Sequence, residues 1–461
     1  MGNVPAVRSV YVCQQCGSES PKWSGQCPTC EAWNTLVETV VARTPASAAK
    51  ARGRAAISIG PDAISPIAEV TSAEAARLVS GMAEVDRVLG GGFVPGSIVL
   101  FGGDPGIGKS TLLLQLAARL AGTGQATLYV TGEESTAQVR GRADRVDGVV
   151  PGLGLVATTE LETAIGAIQS ANPALAVVDS VQTMTSAELS GPSGSVGQVR
   201  EVATRLAEVA KAGRTCVALV GHVTKEGTVA GPRTLEHLVD AVIYLEGERL
   251  GSTRLVRAAK NRFGSTDEVG VLEMRGDGLV EVADASRFFL ESEEPPVAGS
   301  AVTIALEGSR PLAVEIQALV ARSGAGSPRR ATTGIDANRV LMLIAVLARH
   351  AGVNLTAHDV YVNVAGGLRI EEPAADLAVA AALASSLRER PVRSGTVLAG
   401  ELSLAGRVRH AGRAQRRLAE AKRIGFERLV TGPSRDGEAP TDGMAVARDL
   451  RAALELSLEA P

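Results

Sequence analysis

Between residues 98 and 245 short apolar runs recur at intervals that leave room for a helix between each: Ile98 to Phe101, Thr127 to Val130, Ala174 to Val178, Val217 to Val220 and Ala241 to Leu245. Runs this short, apolar throughout, suit strands covered on both sides, and their alternation with helical stretches predicts a mostly parallel sheet with helices on both faces. A second α/β pattern fills the C-terminal part, with a helix expected from Asn338 to His350, a strand around Val360 to Val364, and helices from Pro373 to Arg388 and Gln415 to Ile424. Two stretches break these patterns. After Leu36 the chain turns polar, with Arg43, Lys50, Arg52 and Arg54 and no acid between Arg43 and Arg54, either a plain solvated tether or a contact for a polyanion. Glu293-Glu294-Pro295-Pro296 marks a second break. The expected parts are therefore 1–38, a flexible linker 39–66, an α/β domain 67–290, and another α/β domain 297–461.

Composition narrows the picture. A chain of 461 residues holds more than one ordinary domain, and with only 3% aromatic residues its cores must be filled by Ala, Val and Leu. The net charge of -3 means that a polyanion would be held by local basic patches, since the whole-molecule field is close to neutral. No basic-then-apolar leader is seen and no apolar run approaches the roughly eighteen residues of a membrane span, so a soluble, cytoplasmic protein with no membrane partner is expected.

The sharpest chemistry lies in Gly103-Asp104-Pro105-Gly106-Ile107-Gly108-Lys109-Ser110, which fits G-x-x-x-x-G-K-[ST] and sits between an apolar strand and the helix opened by Thr111. Backbone N–H groups of such a loop turn inward around phosphates. Lys109 would reach the outer phosphates of ATP, and the Ser110 hydroxyl would ligate Mg2+. Asp179, which ends an apolar strand, is expected at the same carboxyl edge as a second Mg2+ group. Thr131-Gly132-Glu133-Glu134-Ser135 follows another strand and brings two carboxylates there; one of them, with Glu133 preferred, would orient the attacking water.

Four of the five cysteines form two pairs, Cys13-x2-Cys16 and Cys27-x2-Cys30, separated by ten residues. In a reducing compartment this spacing predicts a closed tetrahedral Zn2+ site, structural because all four positions are protein. Lys22, Trp23 and Trp33 nearby either cover a small core or stack on nucleic acid. Cys216 reads as a core residue on a strand.

Cations complete the inventory. Lys260-Asn261-Arg262-Phe263-Gly264 is either a solvated hairpin end or, as in ring-shaped ATPases, a source of charge for a neighbouring subunit's phosphoryl group. His222 could sense a terminal phosphate or be a satisfied structural histidine. The polar loop that follows, with Lys225 and Arg233, could grip a single strand through its phosphates.

Taken in order along nearly the whole chain, these parts resemble the RadA, or Sms, family of bacterial DNA repair proteins, the Lys260 to Gly264 pentapeptide being the most specific match. The resemblance implies a RecA-like ATPase core and a homohexameric ATP-driven motor on single-stranded and branched DNA that extends recombination intermediates by branch migration beside a RecA-type recombinase. It also implies that Lys260 and Arg262 act at the subunit interface. The last domain is similar to the proteolytic domain of Lon. Lon's serine position is alanine in Glu372-Pro373-Ala374-Ala375-Asp376, and its partner lysine falls on Gln415, so no Ser-Lys chemistry is expected. A scaffold contacting DNA remains, with Arg322, Arg329, Arg330, Arg413, Arg416 and Arg417 as candidate phosphate contacts. The alternative to a motor is a DNA-binding scaffold that uses nucleotide only as an assembly switch; a third reading, an ATP-gated peptidase, is opposed by Ala374 and Gln415.

Overall fold

The computed structural model describes residues 7–13, 19–29, 31–42, 76–221, 235–247, 251–290, 296–324, 327–434 and 440–460. By contact the chain divides into two compact units, one of residues 1–245, 258–265 and 276–279, the other of 246–257, 266–275 and 280–461. The division thus falls ahead of the Glu293 to Pro296 break, of which 291–295 lie outside the described residues.

In the first unit, β1 (Val7–Cys13), β2 (Glu19–Ser20) and β3 (Leu36–Ala42) form an antiparallel ribbon in the order β2-β1-β3. Residues 39–42, expected in the linker, belong to β3, whose pairing with β1 runs from Cys13 opposite Leu36 to Val7 opposite Ala42. Thr39, Val40 and Val41 are β-branched and favour extended backbone, a local preference that outweighs the polar drift of the segment. The rest of the basic linker, 43–66, lies outside the described residues.

The sheet of the first unit follows α1 (Ala83–Leu89) and alternates β4 (Ile98–Gly102), α2 (Lys109–Gly122), β5 (Thr127–Thr131), α3 (Thr136–Arg145), β6 (Leu153–Ala157), α4 (Leu161–Ala171), β7 (Leu175–Asp179), α5 (Val196–Gly213), β8 (Cys216–Val220) and β9 (Ala241–Glu246). Its order is β9-β4-β8-β7-β5-β6 with every neighbouring pair parallel. Strands β4, β5, β7 and β8 are buried at all five positions, as helices on both faces require. Edge strand β6, Leu-Gly-Leu-Val-Ala, escaped the sequence pattern because Gly152 and Gly154 punctuate its short apolar stretch, and none of its positions is fully buried. Three further strands, β10 (Thr253–Asn261), β11 (Val269–Arg275) and β12 (Gly278–Glu281), follow, β10 and β11 pairing antiparallel from Thr253 opposite Glu273 to Arg257 opposite Val269.

The second unit adds α6 (Ala285–Phe288), β13 (Ser300–Glu307), β14 (Arg310–Arg322), β15 (Arg330–Thr333), α7 (Ala337–Ala351), β16 (His358–Val364), α8 (Asp376–Arg388), β17 (Thr396–Ala399), the β18–β19 pair (Glu401–Leu402 and Val408–Arg409), α9 (Ala414–Arg423), β20 (Arg428–Thr431), β21 (Met444–Val446) and α10 (Leu450–Ser457). Its mixed sheet runs β15-β16-β14-β13-β17-β20-β21, and α8, buried from Asp376 through Ser385, forms the centre of its core. The helix expected from Pro373 begins instead at Asp376, after a tight 3-10 turn over Pro373–Ala375.

Arg417, read from the sequence as a phosphate contact, is fully buried. Its guanidinium donates to Gly412 O at 2.9 Å and to Glu372 Oε2 at 3.0 Å, and it also bonds Ile304 O and Glu372 Oε1. Arg417 therefore ties α9 to β13 and to the turn before α8. Arg417→Ala is expected to destabilise the protein by about 3–5 kcal/mol, because Glu372 would keep a partly buried charge without its partner. Thermal or urea unfolding reads this directly, and a loss under about 1 kcal/mol, the range of an exposed ion pair, would refute it.

Candidate functional site

The phosphate-binding loop occupies the gap between β4 and α2. Gly103, at φ +147°, has no room for a side chain, since a Cβ there would lie 2.4 Å from Leu245 O. No side chain caps α2, so its first N–H groups remain for a ligand on the loop. Asp104, Gly108, Ser110 and Thr111 are half-buried, Pro105 and Gly106 exposed and Ile107 buried, a cradle with an open mouth. Lys109 is 4% exposed and its Nζ donates to Gly103 O at 2.8 Å and Asp104 O at 3.0 Å. Burial holds its pKa below the usual lysine range against the opposing pull of Asp179, Glu133 and Asp104.

Parallel pairing sets Thr131, the last residue of β5, opposite Asp179, the last residue of β7, and so brings the acids to the loop's edge of the sheet. Asp179 Oδ2 accepts from the Tyr129 hydroxyl at 2.6 Å, while its Oδ1 is buried with no hydrogen-bond partner among the described residues. Burial, reinforced by Asp179, pushes the Tyr129 hydroxyl well above its ordinary pKa, so it stays a donor. An orphaned carboxylate oxygen beside the Ser110 end of the loop fits a divalent cation: Ser110 and Asp179 would hold Mg2+, which would supply charge for the phosphates of ATP.

The adjacent glutamates part company. Glu134 is ion-paired with Arg142 and its N–H donates to Thr131 Oγ1 at 3.0 Å. Glu133 is exposed and accepts from the hydroxyl of Ser180, the residue after Asp179. Tyr129, Arg142 and Ser180 were invisible as site residues in the sequence, because each acts through a partner distant along the chain.

Lys260 and Arg262 lie elsewhere. Lys260 Nζ donates to Glu236 O at 2.5 Å and Val239 O at 2.9 Å, and burial lowers its pKa. Arg262, 55% exposed, pairs with Asp240 at 3.0 Å. Asp240 precedes β9 and its carboxylate accepts from the N–H of Ile98, the first residue of β4. The phosphate loop follows the last residue of β4, so both cations stand at the opposite end of this sheet from their own chain's loop. His222, Lys225 and Arg233 lie outside the described residues.

Cys13 and Cys27 are each 1% exposed and share a small buried cluster with Leu36, whereas Cys16 and Cys30 lie outside the described residues. Two buried sulfurs in one cluster fit half of a closed Zn2+ donor set, in which the metal would supply a structural crosslink. Cys216 is a core residue, with its thiol pushed up to about 12 by burial. In the second unit, Ala374 is buried and Gln415 exposed, offering neither nucleophile nor base. Arg322, Arg329, Arg413 and Arg416 are exposed, while Arg330 is spent partly on Leu355 O at 2.9 Å.

Comparison with known proteins finds three family models along the chain. Residues 11–38 match the family model described as "Rubredoxin metal binding domain", 65–228 the "AAA domain", and 329–434 "Subunit ChlI of Mg-chelatase". The chain is 48% identical over 426 residues, 92% of each chain, to the "DNA repair protein RadA" of Bacillus subtilis (strain 168). The protein of that name from Pseudomonas aeruginosa is 48% identical over 423 residues, again 92% of each. That from Mycobacterium tuberculosis is 45% identical over 454 residues, 98% of this chain and 94% of its own. Among solved structures, a KaiC-like protein from the hyperthermophilic archaeon Pyrococcus horikoshii matches 45% of this chain and 98% of its own at 21% identity, with a TM-score of 0.38.

Proposed function

Because the chain belongs to the family of the DNA repair protein RadA, an ATPase family, we propose that it is an ATP-driven motor on single-stranded DNA that promotes branch migration of recombination intermediates as a homohexamer. The observation that supports this reading is the separation of nucleotide cradle and cations: Gly103 to Thr111 lie at one end of the sheet and Lys260 with Arg262 at the other, an arrangement in which a second copy would complete the pocket. Lys109 would bind the outer phosphates, Ser110 and Asp179 the Mg2+, and Glu133 would orient water, with His222 as a sensor of the terminal phosphate. Lys260 and Arg262 would stabilise charge on the phosphoryl group bound by the neighbour. Cys13, Cys16, Cys27 and Cys30 would hold Zn2+ in a ribbon over 1–38, and the domain over 297–461, Lon-like and without protease chemistry, would serve as a scaffold contacting DNA. Among the described residues no helix is long and apolar enough to cross a membrane, in keeping with a cytoplasmic setting beside a RecA-type recombinase.

A tailed duplex tests the motor directly: ATP-dependent displacement of the shorter strand is expected, while binding without displacement would favour the nucleotide-switched scaffold. The glutamates give a second test. Glu133→Gln is expected to lower ATP turnover by about 10²–10⁴-fold with nucleotide affinity retained. Glu134→Gln should have the smaller effect, because its carboxylate is held by Arg142. Steady-state phosphate release beside fluorescent-nucleotide binding separates the two, and a larger loss in Glu134→Gln would reverse the roles.

A further inference from the structure

The tip that carries Lys260 and Arg262 is fastened on two sides, and all the residues concerned belong to the first unit. On one side stands Asp240, whose backbone O accepts from the Arg262 N–H at 3.1 Å and whose carboxylate accepts from the Arg262 guanidinium at 3.0 Å. On the other stands Arg77, a half-buried residue ahead of α1 with no carboxylate partner among the described residues. Its fork is given to backbone instead. Nη1 donates to Leu89 O at 3.1 Å and Nη2 to Phe263 O at 2.7 Å, across 186 positions of chain.

Leu89 is the last residue of α1, where carbonyls lack intrahelical donors and the helix dipole favours a cation. Asn261 uses the same helix end. Its Nδ2 donates to Val88 O at 3.2 Å and its Oδ1 accepts from the Phe263 N–H at 2.9 Å, so the residues before and after Arg262 are both tied to the C-terminus of α1. The turn that follows leaves room for this. Gly90 and Gly91 have φ of +81° and +112°, and a Cβ would stand 3.4 Å from Phe263 O at the first and 3.3 Å from Arg77 Cδ at the second, crowding the contact between Arg77 and the tip.

A cation that serves another copy's phosphoryl group acts only when it is held in place beforehand, since a misplacement of about 1 Å can cost about 10²-fold in rate. Arg262 is 55% exposed, so packing alone does not place it. We propose that Arg77 is a positioning residue for Lys260 and Arg262: by joining the end of α1 to Phe263 it fixes the tip whose cations complete a neighbouring nucleotide pocket. The inference deepens the shared-pocket reading and rests on it.

The test mixes variants of the full chain and reads ATP turnover with Mg2+ and single-stranded DNA. Arg77→Ala alone is expected to lose about 10²-fold in turnover with nucleotide affinity retained, because its cradle is intact. Mixed with Lys109→Ala, which keeps Arg77 and both cations, it should recover turnover; mixed with Arg262→Ala, whose defect lies in the same tip, it should not. Recovery in the first mixture also shows that the Arg77→Ala chain folds. Arg77→Lys covers the case in which it does not. Charge and stem remain, but one ammonium cannot span Leu89 O and Phe263 O as the fork does, so turnover should fall about tenfold with the same mixing pattern. Arg262→Ala with Lys109→Ala is the control. If that pair fails to recover, the shared pocket falls and this proposal with it. If it recovers, the proposal alone is overturned by wild-type turnover in both Arg77 variants, by recovery of either with Arg262→Ala, or by failure of both to recover with Lys109→Ala.

Discussion

Lys109→Ala is expected to lower ATP turnover by at least about 10²–10³-fold, the scale of losing one preorganised donor to developing charge, and to remove stimulation by DNA. The amine does two things that alanine cannot. It spans the loop by donating to Gly103 O and Asp104 O, and it places a buried cation among Asp179, Glu133 and Asp104. Without it, those acids would face incoming phosphates with only the loop amides and Mg2+ against their charge. Phosphate release at saturating ATP, with and without single-stranded DNA, is the measurement. DNA-stimulated turnover that survived the substitution would remove the loop from the mechanism.

Arg262→Ala, and separately Lys260→Ala, should each lower DNA-stimulated turnover by about 10³-fold or more, the effect of losing a cation supplied in trans. The sharper prediction concerns a mixture. Lys109→Ala chains keep Lys260 and Arg262, and Arg262→Ala chains keep an intact cradle. Equal amounts of the two should therefore form some complete pockets and recover turnover that neither shows alone. The geometry within one chain supports this expectation. Arg262 is bound to Asp240 at the start of β9 beside Ile98, whereas the loop begins after Gly102, and five residues of strand separate the ends by roughly 16 Å. A cation that far away cannot touch its own nucleotide. Arg262 keeps more than half its side chain exposed, so it is free to reach another copy once the Asp240 pair opens. A mixture no more active than the sum of its parts would refute the shared pocket.

Some features of the chain are legible in the sequence because their information is contiguous. The phosphate loop needs eight residues in a row, the buried strands need only apolar runs, and the spacing from Cys13 to Cys30 agrees with the metal-binding family model matched over 11–38. The order of these parts is also enough to indicate the family that the relatives bear out. Strand β6 is lost at the same level, since Gly154 interrupts its apolar stretch and Gly152 precedes it, so it reads as a turn.

Other features depend on partners far along the chain, and there tertiary structure decided. Glu133 and Glu134 are neighbours of which the sequence prefers the first, and their surroundings differ in the fold, where Ser180 meets Glu133 and Arg142, eight positions on from Glu134, holds the other. Arg416 and Arg417 look alike in sequence, yet one turn position of α9 faces solvent and the next faces Glu372, 45 residues away. Lys260 in β10 and Arg262 just after it could be assigned to an end of the sheet only through Asp240 and its neighbours. A chain's short-range pattern specifies which backbone conformation each segment adopts, but which side chains lose water and which charges meet is set by packing between segments, and in this protein that packing distinguishes the acid beside Ser180 from its ion-paired neighbour and the structural arginine from the exposed one.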